Sequence, residues 1–453
     1  MIYNRLIVAA IGFIRLEPYD GKLSRTVLRG GKDSNALLLP DYASVEMLYH
    51  PEYVGKPLAV GGDSEARHGI VLTANYIAKR SGVKTGMALW QAKQVCPDLI
   101  FVPPRMDLYL KFSSMLREIY SEYTNQVEPY GCDEAWLDVT DSFSLKGDGR
   151  KIAEEINRRV KKELGITVSI GISWNKIFAK LGSDYKKPDG ITEFNRTNYR
   201  ELIWKLPVSD LLYVGRSTNR TLQKYGIRTI GELARTDPSF LERQLGKMGL
   251  VIYSFANGWD DSPVSVEGYQ APIKSIGNST TTPRDLENDQ DVQIILMALA
   301  ESVAARLRKH GFKCNVVSIS IRDNGLFHFS RQRKLQDLTD ITDEIMSAAY
   351  QLFRENYHWP RPIRSLGIRA DDLVMGQVPV QLDLFMNEQR REKQEKLDRA
   401  VDDIRRRFGY HSVQRAFMYQ DKILSSLDAQ GSHTVHPVGY FLSLIHISEP
   451  TRR

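Results

Sequence analysis

The chain has 453 residues, too many for one hydrophobic core, so about three or four domains are expected. Hydrophobic residues make up 42% and charged residues 26%, which is ordinary for a soluble globular protein, and the net charge of +7 suits a polyanionic partner without requiring one. The three cysteines, Cys96, Cys132 and Cys314, are too few and too widely spaced for a disulfide framework or a zinc site, which indicates a reducing, cytoplasmic location.

The first predicted element is an apolar run at residues 6–14, which follows Arg5. It is far too short to span a bilayer, and no small-residue cleavage site follows it. We therefore expect neither a secretion signal nor a membrane partner.

Apolar strands then alternate with amphipathic helices, which predicts an α/β or α+β core. Residues 150–164 place apolar side chains on one helical face, and Gly165 is expected to end that helix. Residues 166–173 have the pattern of a strand, and a second helix should begin near Asn175 and bury Phe178.

Residues 211–233 predict two short helices joined by a turn at Gly226. Such a hairpin can present backbone N–H groups to a DNA phosphate, although an ordinary helical hairpin has the same pattern. The polar segment 261–272 contains two prolines and is typical of a linker.

A separate unit is expected beyond this linker. Residues 292–307 form a helical stripe that ends at Gly311, and residues 317–322 alternate apolar and polar positions, as in a sheet with one wet face. Basic residues around this strand predict a phosphate-binding surface on the wet face. They are Lys313, Arg322, Arg331, Arg333 and Lys334.

The most informative segment is 127–140, where Asp133 and Glu134 follow Gly131 and open an apolar strand. Adjacent carboxylates in this position can both reach one hard cation, and phosphoryl transfer uses such pairs because Mg²⁺ prefers oxygen ligands. Most Asp-Glu pairs are solvated surface charges, whereas this one is embedded in apolar sequence. The pattern alone leaves both possibilities open.

Residues 131–138, Gly-Cys-Asp-Glu-Ala-Trp-Leu-Asp, resemble the Y-family DNA polymerase motif usually written S-I-D-E-A-Y/W-L-D. Further segments resemble other motifs of that family in the same order, at 42–46, 73–87, 171–190 and 274–277. The resemblance covers about residues 42–385 and is to the bacterial DNA polymerase IV branch. It implies an α+β multidomain fold, a right hand with palm, fingers, thumb and a C-terminal little-finger domain.

The resemblance also implies a division of the chain. The expected segments are an atypical N-terminal segment at 1–32, the first strand and fingers at 33–105, the palm at 106–195, a thumb with a helix-hairpin-helix at 196–262, a linker at 263–272, the little finger at 273–376, a clamp-binding tail and helix at 377–420, and a disordered or artefactual tail at 421–453. Residues 441–453 in particular resemble translated sequencing-adapter read-through.

The activity implied by the resemblance is low-fidelity, template-directed DNA synthesis across damaged DNA. A primer 3′-hydroxyl would attack the α-phosphate of a dNTP and release pyrophosphate. Asp133 and Glu134 would be catalytic and would hold two Mg²⁺ ions together with a first-strand Asp. The partners implied are primer-template DNA and dNTP, and a monomer is expected.

The resemblance further implies the residues that bind the nucleotide. Tyr76, Lys79 and Lys187 would contact the incoming triphosphate, and Tyr42 would be the steric gate whose ring excludes a ribose 2′-hydroxyl. For the two tyrosines, the alternative is a half-buried position in the core.

Residues 381–385, Gln-Leu-Asp-Leu-Phe, resemble the peptide that docks bacterial polymerases on the sliding clamp. Its contacts would be Gln381, Leu382, Leu384 and Phe385, and the alternative is a chance apolar patch in a linker. Residues 387–408 follow and predict a solvated helix that lies loosely on a partner or domain. Its apolar stripe consists of Leu397, Val401, Ile404 and Phe408.

The N-terminus departs from the family pattern D-x-N-x-F/C-Y-A-S-V-E. Without a gap, Leu37 stands where the metal-binding Asp should be, and Leu cannot bind Mg²⁺. Asp33 fits the pattern better, but an insertion that includes Pro40 then separates it from Tyr42. Both placements stay open. The rival function is therefore a catalytically impaired DNA- and clamp-binding protein that lacks the first metal ligand.

Overall fold

The structure is a computed structural model that describes residues 7–11, 42–62, 69–269, 272–376 and 388–429. The described residues up to 269 form one compact unit, and those from 272 onward form a second. None of the helices in these ranges is both long and apolar enough to cross a membrane.

The first unit contains eight of the described strands and twelve of the described α-helices. The strands are β1 (Ile7–Ile11), β2 (Leu58–Gly61), β3 (Val71–Ala74), β4 (Ile100–Val102), β5 (Val127–Tyr130), β6 (Glu134–Asp138), β7 (Ser169–Ser173) and β8 (Ile191–Glu193). The helices are α1 (Tyr42–Tyr49), α2 (Tyr76–Arg80), α3 (Leu89–Val95), α4 (Met106–Ser121), α5 (Phe143–Lys146), α6 (Gly149–Leu164), α7 (Lys176–Tyr185), α8 (Tyr199–Leu202), α9 (Arg216–Lys224), α10 (Ile230–Arg235), α11 (Pro238–Leu245) and α12 (Lys247–Ala256).

A five-stranded sheet in the order β5-β6-β1-β7-β8 carries the strand that begins at Glu134. The central strand β1 is antiparallel to both neighbours, and its Ile11 lies opposite Glu134 on β6 and Ser169 on β7. Apolar residues of α4 and α6 pack with those of the sheet in one buried cluster. The sheet therefore places the start of β6 next to β1.

Local signals explain how β7 is joined to its flanking helices. Asp148 caps α6 by accepting a hydrogen bond from the Lys151 N–H, and Gly165 ends it in a left-handed conformation at φ 69°. Asn175 caps α7 in the same way. Gly171 allows α7 to approach β7 closely, since a Cβ there would lie 1.9 Å from the Ala179 carbonyl oxygen. The helices and strand predicted for this region are confirmed.

Two smaller parts complete the first unit. The three-stranded sheet β3-β2-β4 packs with α2 and α3 around an apolar cluster of its own. Helices α8 to α12 belong to a separate helical cluster. Within it, α9 and α10 are the two predicted short helices, and Gly226 lies between them at φ 79°.

The segment predicted to be a linker is packed at its beginning. Val264 is buried against Trp136, and the Ser265 N–H donates to Glu128 at 2.8 Å. Lys176 holds the same carboxylate at 2.6 Å. The prediction missed these contacts because each joins the segment to residues far away in sequence.

The second unit contains the remaining described elements. The strands are β9 (Ser275–Leu286), β10 (Phe312–Asp323), β11 (His328–Thr339) and β12 (Ile363–Met375), and the helices are α13 (Asp289–His310), α14 (Thr342–Asn356), α15 (Glu388–Phe408) and α16 (Lys422–Ser425). The strands form an antiparallel sheet in the order β11-β10-β12-β9. As predicted, Gly311 ends α13, and Val317, Ile319 and Ile321 are buried in the core.

Helix α15 packs through its charged side chains rather than its apolar stripe. Arg308 of α13 pairs with Asp398 at 3.1 Å and with Asp402 at 2.6 Å, and Arg405 pairs with the buried Glu301 at 3.0 Å. The predicted stripe stays largely in solvent, with 57% of Leu397, 39% of Ile404 and 73% of Phe408 exposed. The expectation of a loosely lying helix is thus corrected, because buried ion pairs attach it to the second unit.

The chain remains ordered into the region predicted to be a tail. Met418, Leu424 and Ala429 are buried in the core of the second unit, and Asp421 pairs with Arg284 at 2.6 Å. The boundary predicted at residue 421 is therefore corrected to a position beyond Ala429. Residues 430–453 lie outside the described residues.

Candidate active site

Two adjacent buried carboxylates lie where β5 turns into β6. Gly131 makes the turn at φ 83°, Asp133 follows it, and Glu134 is the first residue of β6. Only 6% of Asp133 and 7% of Glu134 is exposed. The Glu134 Oε2 atom is buried without a hydrogen-bond partner among the described residues. Solvated surface charges are therefore excluded as the explanation for this motif.

Burial makes both carboxylates costly to ionise. It raises the pKa of Asp133 well above its usual range, and the neighbouring Glu134 raises it further. Burial also raises the pKa of Glu134, although Lys180 opposes that effect. Two confined negative charges of this kind are stabilised when a cation binds between them.

Two lysines and a third carboxylate extend the site along α7. The Lys180 ammonium lies 3.4 Å from Glu134 Oε1 and 2.7 Å from Asp184 Oδ2. The predicted nucleotide-binding residue Lys187 lies 2.6 Å from the other oxygen of Asp184, Oδ1. These residues form a continuous chain of alternating charge that begins at Glu134.

The alternating charges of these side chains stabilise one another. Burial alone would lower the pKa of Lys180, but Asp184 and Glu134 outweigh it and raise that pKa. For Asp184 the effect of burial is likewise outweighed, and Lys180 and Lys187 lower its pKa to about 2. Sequence reasoning missed Lys180 and Asp184. The signal was the spacing of four residues from Lys180 to Asp184, which puts both on one side of the helix capped by Asn175, with Lys187 three residues further on, just beyond the helix end.

Tyr42 begins α1 and lies close to the carboxylate pair. Its ring is fully buried and stacks on Tyr109 with 4.0 Å between ring centres. Burial raises the pKa of Tyr42, and the nearby Cys132 and Asp133 raise it further. The Tyr109 hydroxyl donates to Glu46 at 2.6 Å, and Glu46 also pairs with Arg105. The ring of Tyr42 is thus held firmly beside Asp133.

Tyr76 and Lys79 lie together on α2, beside the three-stranded sheet. Tyr76 is the first residue of the helix, which Asn75 caps, and the Lys79 ammonium lies 4.9 Å from the centre of its ring. The structure therefore pairs these two candidates with each other. It groups Tyr42 and Lys187 with the carboxylates.

The carboxylate pair fits a divalent cation as far as the described residues extend. Two buried carboxylates, one with an oxygen that has no partner, are the oxygen donors that Mg²⁺ prefers. Within those residues, no group of three or more potential ligands is present. The described part of β1 is Ile-Val-Ala-Ala-Ile, and the predicted ligand Asp33 lies outside the described residues.

The predicted phosphate-binding surface is only partly present on the wet face of the second sheet. Arg322 and Lys334 face that side. Arg322 is two residues beyond the exposed Ser320 on β10 and therefore shares its face, and Lys334 lies opposite Val316, which is on the same face of β10. Arg333 lies opposite the buried Val317 and pairs with Glu355 of α14, and Arg331 lies opposite the buried Ile319, so both point to the helical side. Lys313 pairs with Glu395 of α15. The exposed Arg369, opposite Ser318, joins the wet face and was not predicted.

The predicted clamp-binding peptide cannot be placed. Gln381, Leu382, Leu384 and Phe385 lie outside the described residues. The structure describes the chain up to Gly376 before this peptide and again from Glu388 after it.

Comparison with known proteins decides the family. The impB/mucB/samB family matches residues 41–184, and its C-terminal domain matches residues 273–384. The DNA polymerase IV of Acetivibrio thermocellus is 51% identical over 386 residues, which make up 85% of this chain and 97% of that protein. This chain belongs to the DNA polymerase IV family. The DNA polymerase IV of Moorella thermoacetica is 38% identical over 83% of this chain and 93% of its own length.

Solved structures of Y-family polymerases have the same fold as this chain. A Y-family DNA polymerase chimera of Dbh and Dpo4 has a TM-score of 0.67 at 23% identity, and it covers 82% of this chain and 100% of its own. The post-insertion binary complex of Dbh DNA polymerase has a TM-score of 0.52 at 25% identity over the same shares. The predicted family and the fold class, with palm, fingers, thumb and little finger, are confirmed. Strand β1 lies before the part of the chain that the family matches.

Proposed function

We propose that this chain copies damaged DNA templates at low fidelity by transferring a nucleotide from a dNTP to a primer 3′-hydroxyl. The observation that carries this proposal is the buried pair Asp133 and Glu134 beside the ammonium of Lys180. Anionic oxygens for a cation and a cationic group for phosphate lie within one site. Positioning and charge neutralisation of this kind supply most of the catalysis in phosphoryl transfer.

Each carboxylate has a distinct part in this proposal. Asp133 and Glu134 would offer oxygen ligands to a cation. The Lys180 ammonium pairs with Glu134 Oε1, and the other oxygen, Oε2, has no partner among the described residues and could bind the cation. When bound, two Mg²⁺ ions would supply neutralising charge for the attacking oxygen and the leaving pyrophosphate. Asp33 is the candidate that completes the ligand set.

The nucleotide-binding residues divide between two places. Lys187 would neutralise triphosphate charge next to the carboxylates, and Tyr76 and Lys79 would contact the triphosphate from the fingers. Tyr42 would exclude ribonucleotides. Its firm stacking on Tyr109 supports this role, because a steric gate must resist displacement by the 2′-hydroxyl.

The remaining partners are proposed from surface chemistry and the sequence. Arg322, Lys334 and Arg369 would contact phosphates of primer-template DNA, since exposed basic residues on a strand face suit a polyanion. The peptide Gln381 to Phe385 would bind the sliding clamp. We propose a monomer in the cytoplasm, where the three free, buried cysteines would remain reduced.

One observation favours a second candidate, a DNA- and clamp-binding protein with impaired catalysis. The described part of β1 contains no carboxylate, although β1 pairs directly with the strand that begins at Glu134. If Asp33 does not reach the site, the carboxylate pair stands alone on one side of the cation.

Primer extension with matched variants tests the proposed function. Asp133→Asn and Glu134→Gln should reduce extension below detection and leave DNA affinity within a few-fold, because phosphate contacts elsewhere supply most of that affinity. Asp141→Asn, which alters an exposed carboxylate just beyond β6, is the control and should extend like the unaltered chain. Comparable extension by all three variants would refute the site, and absence of extension by the unaltered chain would favour the second candidate.

A further inference from the structure

We propose that Asp184 is a positioning residue that fixes the ammonium groups of Lys180 and Lys187 for nucleotide binding. This inference rests on the proposed function above and adds a residue that sequence reasoning did not assign. Asp184 itself touches neither the candidate cation ligands nor, on this proposal, the nucleotide. It acts through the two lysines.

The geometry gives each lysine its own oxygen. Asp184 Oδ2 lies 2.7 Å from the Lys180 ammonium, and Oδ1 lies 2.6 Å from that of Lys187. One carboxylate therefore bridges two lysines, one within α7 and one just beyond its last residue, Tyr185. A carboxylate that accepts from both sides restricts both side chains at once.

Lys180 connects this bridge to the carboxylate pair. Its side chain is only 8% exposed, and its ammonium also lies 3.4 Å from Glu134 Oε1. A change at Asp184 can therefore reach Glu134 through Lys180 and can reach the nucleotide through Lys187. The buried position of Lys180 sets this arrangement apart from an ordinary surface pair such as Arg150 with Glu154, in which both side chains are about half exposed.

Restriction of Lys187 has a predictable effect on affinity. A free lysine side chain carries about 2 kcal/mol of rotamer entropy, which is lost when its ammonium becomes fixed on a phosphate. If Asp184 has already restricted Lys187, less of that loss occurs on nucleotide binding. The upper limit of this contribution corresponds to about a 30-fold change in affinity.

A nearby carboxylate that did not position the lysines would weaken nucleotide binding through its negative charge. Removing its negative charge would make the surroundings of Lys180 and Lys187 more positive, and a triphosphate would then bind more tightly. Positioning predicts weaker binding after the same change. The direction of the effect therefore separates the two explanations.

The experiment measures dNTP affinity at equilibrium, without turnover, on primer-template DNA whose primer ends in a dideoxynucleotide. Asp184→Asn keeps the shape of the side chain and removes its charge, and we expect dNTP affinity to fall by about 3- to 30-fold. Glu154→Gln removes an exposed carboxylate from a helical ion pair on α6 and should leave affinity unchanged. A melting temperature close to that of the unaltered chain verifies folding, and Asp184→Ser replaces Asp184→Asn if that variant does not fold.

A double-mutant cycle tests whether Asp184 acts through Lys187. In a Lys187→Met background, Asp184→Asn should lower dNTP affinity less than it does in the unaltered chain, because only Lys180 is then left for Asp184 to position. Equal losses in both backgrounds, or unchanged or tighter binding by Asp184→Asn alone, would overturn the inference. Failure of the proposed function is distinguishable, since the unaltered chain would then show no template-dependent preference among dNTPs in the same assay.

Discussion

Replacing Asp133 by Asn should stabilise the metal-free protein while it abolishes DNA synthesis. Asp133 is buried, and its folded-state pKa is raised by burial and by Glu134. The folded state therefore binds a proton more tightly than the unfolded chain does. Stability falls as the pH rises from the ordinary carboxyl value toward the raised folded-state pKa, and above that pKa the unaltered protein carries the full cost. Asn has nearly the same shape and no charge to bury.

The size of this stabilisation follows from the free-energy cost of burying a polar group whose hydrogen-bond partners are incomplete. That cost is about 1–3 kcal/mol, and it should appear as a higher free energy of unfolding for the Asn variant at neutral pH. For a unit of about 200 residues, each kcal/mol raises the melting temperature by about 2–4 °C. As the pH falls to about 4 and below, the Asp133 side chain becomes neutral in the folded state and increasingly in the unfolded state, so the difference from the Asn variant should shrink.

The assay is thermal unfolding in EDTA at pH 4 and pH 7.5, followed by titration with Mg²⁺ at pH 7.5. The Asn variant should melt higher at pH 7.5 in EDTA, and Mg²⁺ should stabilise the unaltered protein more than the variant, because a ligand stabilises the state that binds it. A lower melting temperature for the variant at pH 7.5, or a difference that does not depend on pH, would refute the account of the carboxylate pair.

Three further predictions concern other parts of the chain. Tyr42→Ala should admit ribonucleotides and cost about 3–5 kcal/mol of stability. Tyr42→Phe should retain discrimination, because it keeps the ring that stacks on Tyr109, and primer extension with rNTPs distinguishes the two variants. Gly171→Ala should cost about 1–3 kcal/mol or more in thermal unfolding, since its Cβ would lie 1.9 Å from the Ala179 carbonyl oxygen and would push α7 away from β7. Deletion of residues 381–385 should abolish stimulation by the sliding clamp and leave unstimulated synthesis intact, and a clamp pull-down that survives the deletion would contradict the assignment.

Elements that end at capping residues or glycines could be predicted from the sequence. Helix α6 ends at Gly165, α13 ends at Gly311, and α7 begins after Asn175, as expected, because these signals involve neighbouring residues. The carboxylate pair was predictable for a similar reason, since it follows a glycine turn and opens an apolar strand.

The contacts that join distant segments could not be predicted in this way. Glu134 meets Lys180 only because β6, β1 and β7 are neighbours and Gly171 lets α7 approach β7. The apolar stripe of α15 suggested the wrong packing face, because Arg308 and Glu301 of α13 supply buried partners for the charged face. Periodicity reports which side chains share a face and not what lies opposite them.

The most direct test of the central claim is incorporation of a single nucleotide by the full chain on primed DNA, with each of the four bases at the templating position. We expect Mg²⁺-dependent addition of the complementary dNTP in each case, and its loss when Glu134 is changed to Gln. Tight binding of the primed DNA without any addition, at all four templates and across a range of Mg²⁺ concentrations, would contradict it.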